Sequence, residues 1–322
     1  MADFLIKRYM PEFRREWNDF VETSKNGTFL LNRDYMDYHS DRFPDCSLTI
    51  FRNGKLFALL PASASADVVC SHPGLTYGGL VVNRKATVEE TMEIFTLVCS
   101  HFADEGFSTF IYKPVPHIYH RLPAEEDLYA LFRAGATIKA RNVSAVVCRD
   151  SRLPFRKIRI DGIRRALAAG VRVEESSDFA PFWNVLTNNL LSRYSTLPVH
   201  SLTEIEKLAA RFPENIRLFT AMKEGCTLGG VLVYITPTVV HTQYISASQE
   251  GKSLGVIDLV MQTLLDRTFP SHRYFDFGTS NEKGGKFLNA SLIYQKEGFG
   301  GRAVCYDTYE TDLRKFSTLQ TR

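Results

Sequence analysis

The chain has 322 residues, 44% of them hydrophobic and 23% charged, and carries a net charge of +3. That length suits two domains of ordinary size, and the composition is that of a globular protein rather than a disordered one. So small a net charge leaves no electrostatic footprint for DNA, and no apolar run approaches the ~20 residues needed to span a bilayer.

The N-terminus, MADFLIKRYMPEFRREW, is charged throughout and lacks the apolar centre of a signal peptide. Phe13 and Trp17, four apart, mark one face of an amphipathic helix. Ser47–Phe51 and Lys55–Pro61 alternate as strands around the turn Asn53-Gly54. Tyr77 lies in a polar, glycine-bearing stretch, and a helix is expected from about Thr87. Arg149–Pro154 reads as a crossing between halves. The pattern then predicts a helix over Ile158–Ala169 closed by Gly170, a second around Phe179 and Trp183, and the hairpin Ile216–Met222, Glu224-Gly225, Thr227–Ile235. Strand Val239–Ser246 leads through Gln249–Gly255 into helix Leu254–Arg267. Last come strand Tyr274–Phe277, the turn Thr279–Gly285, helix Lys286–Lys296 with Gly298 as its left-handed cap, and strand Arg302–Tyr309.

This order repeats. The only two tryptophans, Trp17 and Trp183, both precede Asn and both follow Phe by four residues. Arg42-Phe43-Pro44 recurs as Arg211-Phe212-Pro213, and Tyr77 corresponds to Tyr244. All three correspondences fall at an offset near 167 residues, which implies a duplicated unit with loop drift. Two α/β domains are expected, 1–150 and 151–322, each a mixed, mostly antiparallel sheet flanked by helices.

The stretch Asn289-x-x-x-x-Tyr294-x-Lys296-x-Gly298-Phe299 resembles the last motif of the GNAT acyltransferases. Its ending, Lys296-Glu297-Gly298-Phe299-Gly300-Gly301, is similar to the Fem-like branch, which carries two GNAT-like domains in tandem and includes peptidoglycan aminoacyl transferases. The resemblance implies an acyltransferase that uses acetyl-CoA or another acyl-CoA as co-substrate, with no metal. The acyl group would pass to an amine or hydroxyl of a small molecule bound between the two domains. Two other readings stay open: a Fem-like transferase taking its acyl group from aminoacyl-tRNA and acting on a cell-wall precursor, and a catalytically dead tandem domain that binds a ligand.

In GNAT enzymes the CoA pyrophosphate lies at the turn after the fourth strand, where helix N-terminal N–H groups favour an anion and glycine admits close approach. Here that turn offers Gly251, Lys252, Ser253 and Gly255, beside an unhelpful Glu250; Asn289 of the last motif joins this cofactor set. The first-half counterpart, Asn83–Thr87, has no glycine and is expected to bind no phosphate. Tyr294 takes the place of the acid that protonates the departing thiolate. Lys296 matches the Fem-like lysine, although its position also fits compensation of a helix dipole. His200, in the proline-broken stretch Arg193–Ser201, has the side chain of a base, or simply orients the loop before a capped helix. Arg193, Tyr194, Tyr244, Asp276, Ser280, Glu282 and Tyr77 complete the expected acceptor site; Asp276, between Phe275 and Phe277, needs a partner for its carboxylate. The six cysteines have no metal-ligand spacing and read as reduced core residues of a cytoplasmic protein.

Overall fold

The computed structural model describes residues 4–315. In chain order the elements are β1 (Phe4–Arg8), α1 (Arg14–Thr23), α2 (Arg33–Met36), β2 (Leu48–Arg52), β3 (Lys55–Leu60), β4 (Ser63–Ser65), β5 (Val68–Cys70), β6 (Val81–Val82), α3 (Val88–Asp104), β7 (Thr109–Tyr112), α4 (Glu126–Arg133) and β8 (Thr137–Cys148). The chain continues with α5 (Lys157–Ala168), β9 (Arg172–Ser176), α6 (Ala180–Tyr194), α7 (Leu202–Arg211), β10 (Ile216–Lys223), β11 (Cys226–Ile235), β12 (Val239–Ala247), α8 (Gln249–Leu254), α9 (Val256–Thr263), β13 (Tyr274–Thr279), β14 (Asn281–Glu282), β15 (Phe287–Leu288), α10 (Ala290–Glu297) and β16 (Arg302–Asp312).

Two compact units emerge. Residues 4–142, 283–286 and 305–315 form one; residues 143–282 and 287–304 form the other. The division therefore falls at Asn142, and the end of the last strand is counted with the first unit.

In the first unit β1, β2, β3 and β6 make an antiparallel sheet, while β5 pairs with β4 antiparallel and with β7 parallel. Its core gathers Ile50, Leu60, Phe95, Phe102, Phe110 and Leu131. Trp17 of α1 is fully buried and donates its indole N–H to the Leu31 carbonyl at 2.8 Å. Helix α3 starts with a reciprocal cap: Thr87 accepts from the Glu90 N–H, and Glu90 accepts from the Thr87 N–H. The turn Asn83–Thr87 thus spends its first donors on its own side chains.

In the second unit the strands run β8, β13, β12, β11, β10, β9, antiparallel except for the β12–β13 pair. Helices α5 and α9 cover one face, where Ile163, Ala166, Val231, Val240, Val256, Val260 and Phe275 form the core. Trp183 of α6 is buried edge-on against Tyr244 at 5.2 Å between ring centroids.

Local chemistry moved several expected boundaries. The last helix begins at Ala290 rather than Lys286, because Phe287 and Leu288 pair with Glu282 and Asn281. Asn289 then caps the helix by accepting from the Leu292 N–H at 3.1 Å. Gly298 is not the left-handed residue: its φ is −60°, and Gly300 at +90° makes that turn. The expected helix Leu254–Arg267 is broken at Gly255, whose φ of +77° ends α8 and opens α9. Of the cysteines, Cys46 and Cys99 are core residues, whereas Cys226 and Cys305 lie exposed on strands. No helix among the described residues is long and apolar enough to cross a membrane.

Candidate functional site: a cleft where two parallel strands part

Strands β12 and β13 pair in parallel at Val239–Tyr274, Val240–Phe275 and His241–Asp276, and go no further together. Two local features separate them. On β12, Thr242 opposes Val233 and Tyr244 opposes Leu232, so Gln243 is an extra residue; such a bulge bends its strand. On β13, Gly278 has φ +73°, and its N–H turns back to the Asp276 carboxylate at 2.8 Å.

The gap is a cleft of about 370 Å³. Ile245, Ala247, Phe277, Met261 and Leu292 give it apolar walls, and Asn189, Arg193, Lys252 and Lys296 supply polar groups. An apolar pocket with a few convergent polar groups is the usual form of a small-molecule site.

Lys296 is the distinctive group. It sits in the last turn of α10 with only 6% of its surface exposed. Its ammonium donates to the Gly278 and Thr279 carbonyls, both at 2.8 Å, which leaves one of three N–H donors for a ligand. Burial pushes its pKa down to about 8, and the neighbouring Asp276 carboxylate opposes that shift.

Asp276 is fully buried, so its charge needs donors. It takes them from the Gly278 N–H, the Ser144 hydroxyl and His241 Nδ1, the last at 2.8 Å. His241 escapes a reading of the sequence, because its partner lies 35 residues away on a parallel strand and parallel register carries no local signature. The one available signal is alternation: Val240 points into the core, so His241 points the other way.

The other expected residues divide clearly. Arg193 and Lys252 line the cleft, and Lys252 contacts Asn189 Oδ1 at 2.5 Å. Gly251 and Gly255 serve packing. A Cβ on Gly251 would lie 2.4 Å from the Leu228 carbonyl, and one on Gly255 would lie 2.7 Å from the Gly162 backbone of α5. The Gly251 N–H is already taken by Ser248 Oγ, and Ser253 donates to the Glu250 carbonyl. Asn289 caps its helix and reaches Glu282 at 3.1 Å. Tyr294 is 54% exposed, lies 4.4 Å beneath the Arg156 guanidinium, and is not part of the cleft wall. Two residues from Lys296 on one helix, it points to a different side. His200 is buried, with Nδ1 2.7 Å from the Tyr244 hydroxyl. Burial raises the Tyr244 pKa. Ser280 is buried, its hydroxyl unpaired among the described residues. Tyr77 is a core residue of the first unit, bonded to Thr28 Oγ1 at 3.1 Å. The side chain of Tyr194 lies outside the described residues.

Residues 155–284 match the acetyltransferase (GNAT) domain family. Among solved structures the chain is similar to FemX, with 12% identity, a TM-score of 0.67 and coverage of 98% of this chain and 99% of that one. It is also similar to the C-terminal domain (DUF2156) of a putative lysylphosphatidylglycerol synthetase from Agrobacterium fabrum, at 11% identity and TM-score 0.61, covering 96% of this chain and 94% of that one. A third likeness is to L-PGS from Bacillus licheniformis, at 12% identity and TM-score 0.60, covering 97% and 94%. At these identities the likeness is one of fold. No curated protein matches the sequence. The family match falls almost wholly within the second unit, the part of the chain that holds the parted parallel strands and the cleft. Over its whole length the chain has a fold like that of FemX, divided into two compact units, the second of which holds the cleft.

Proposed function

We propose that the second unit transfers an acyl group from acyl-CoA to an amine, or less readily a hydroxyl, of a small-molecule acceptor, in the cytoplasm and without a metal. The donor arm would lie in the cleft between β12 and β13. One observation carries this reading: a buried ammonium, fixed by two carbonyls, lines an apolar cleft. Attack on a thioester carbonyl builds negative charge on its oxygen, and a preorganised cation in a water-poor site stabilises that charge strongly. Only the charge that develops during reaction needs Lys296, so the lysine serves turnover more than binding.

A second donor has support from a different feature. The turn that would hold a CoA pyrophosphate is closed by packing. Gly255 lies against Gly162 of α5, and the first turn of α9 carries Asp258, paired with Arg159 at 2.7 Å. An acid at a helix N-terminus already answers the dipole that a phosphate would use. This favours the Fem-like alternative, in which an aminoacyl ester on tRNA supplies the acyl group.

Thermal denaturation with acetyl-CoA, longer acyl-CoAs, free CoA and an aminoacylated RNA minihelix separates the two. A ligand that binds only the folded state raises the melting temperature. Stabilisation by acyl-CoAs supports the first donor, stabilisation by the minihelix alone supports the second, and stabilisation by neither removes the donor site from this cleft. If a donor binds and Lys296→Met still transfers normally, the lysine has no part in the reaction.

A further inference from the structure

We propose that His241, held by Asp276, is the general base that takes the proton from the acceptor amine. The inference rests on the acyl-transfer reading above and adds the group that reading lacks. Asp276 Oδ2 lies 2.8 Å from His241 Nδ1, and the Asp276 carboxylate is fully buried. A buried carboxylate holds a proton on Nδ1 and so leaves the Nε2 lone pair as the basic site. Nε2 makes no hydrogen bond among the described residues, and the His241 side chain keeps 13% of its surface exposed.

His241 does not line the cleft itself but stands where its two strands begin to part. His241 and Asp276 are the last paired residues before β12 and β13 part. Val240 enters the core beneath α9, so His241 stands on the opposite face, where Tyr244 packs on Trp183 and Ser246 meets Asn189 of α6. A Cβ on Gly278 would lie 3.3 Å from His241 Cε1, and the Gly278 carbonyl receives Lys296. One glycine thus separates the base from the cation.

In the step, the amine nitrogen bonds to the acyl carbon while the carbonyl electron pair moves to oxygen, facing Lys296. Collapse re-forms the carbonyl and breaks the bond to the leaving sulfur or oxygen. The proton lost by nitrogen goes to His241 Nε2, then through water to the leaving group, so amine and activated ester become amide and free thiol or alcohol.

The test uses the full chain with p-nitrophenyl acetate as donor and glycinamide as acceptor, reading amide formed. His241→Gln is expected to lower kcat ~10²-fold, with KM for the ester and the melting temperature nearly unchanged. In His241→Ala, added imidazole should restore part of the rate, which a merely structural histidine would not allow. Unchanged kcat in His241→Gln beside a Lys296→Met enzyme that fails overturns the base and leaves the acyl-transfer reading standing. A wild-type protein that acylates no amine overturns both. Independently, ¹⁵N NMR of the imidazole at pH 8 should show the Nδ1–H tautomer with Nε2 bare; a doubly protonated ring, or an Nε2–H tautomer, sinks the proposal without any kinetics.

Discussion

Lys296 Nζ lies 2.8 Å from the Gly278 carbonyl, and the same glycine gives its N–H to Asp276. Gly278 therefore holds a cation at its carbonyl and an anion at its N–H, across a single residue. Replacing Lys296 by Met removes the buried ammonium from the cleft wall. Turnover should fall ~10²–10³-fold, the range for losing one oxyanion donor, with a smaller effect on donor KM, as steady-state kinetics would measure.

The pH dependence follows from the same burial. The Lys296 pKa is pushed from 10.5 down to about 8. The ammonium is the useful form, so activity should fall as pH rises through about 8. Stability runs the other way. Below about 8 the lysine is charged in both folded and unfolded chains, and the folded state bears the full cost of burying it. Between about 8 and 10.5 only the unfolded chain holds the proton, so folding gains as pH rises. Rate profiles and urea denaturation across this window should therefore slope in opposite directions; parallel slopes would mean that Lys296 is not the group lost.

Gly255→Ala tests whether the turn after β12 is a packing device. Its φ of +77° disfavours a side chain, and a Cβ would lie 2.7 Å from the Gly162 Cα and carbonyl oxygen. Left-handed strain and overpacking together should cost about 2–4 kcal/mol in denaturant unfolding. A neutral substitution would show that α5 can move away and would reopen this turn to a phosphate.

The division into two units was legible because tryptophan, proline and glycine punctuation recur at one offset, and a repeat is a one-dimensional signal. The motif around Lys296 was legible because its residues lie within one short stretch of sequence. The roles of its neighbours were not. Whether Gly251 and Gly255 face phosphate or protein depends on α5, a helix some 90 residues earlier in the chain. Asn289 looked like a ligand contact because the strand pair before it was not foreseen, and with that pair its place as a helix cap follows. The partner of Asp276 needed the parallel register of β12 and β13, which periodicity cannot supply.

Asp127 offers a stability prediction in the first unit. It is buried in the first turn of α4, accepting from the Tyr112 hydroxyl at 2.6 Å and the Leu128 N–H at 2.8 Å. Burial raises its pKa from 3.8 to about 7. A raised pKa stabilises the folded state fully below the unfolded value and loses that contribution as pH rises through about 7. The wild type should lose up to ~4 kcal/mol from this group between pH 4 and 7. Asp127→Asn should flatten that slope and match or exceed the wild type above pH 7, measured by urea denaturation at fixed salt. An unchanged slope would place the proton elsewhere.

Tyr294 has the motif position of a catalytic acid, yet its ring is 54% exposed beneath the Arg156 guanidinium. Lys296, two residues on, is the residue of that helix turned inward. Successive side chains on a helix lie about 100° apart, so residues i and i+2 cannot serve one atom. Tyr294→Phe keeps the ring and its contact with Arg156 while removing only the hydroxyl. Stability should stay within ~0.5 kcal/mol, as for surface changes away from special features. Turnover should stay within about threefold, whereas losing a true general acid costs ~10²–10⁴. A drop of a hundredfold in kcat, with the fold intact, would show that α10 rotates on donor binding and brings the phenol to the leaving group. Arg156→Ala separates the two accounts. If the phenol acts only as a surface partner of Arg156, that substitution leaves kcat alone; if α10 must turn, freeing Tyr294 from the guanidinium should raise the rate.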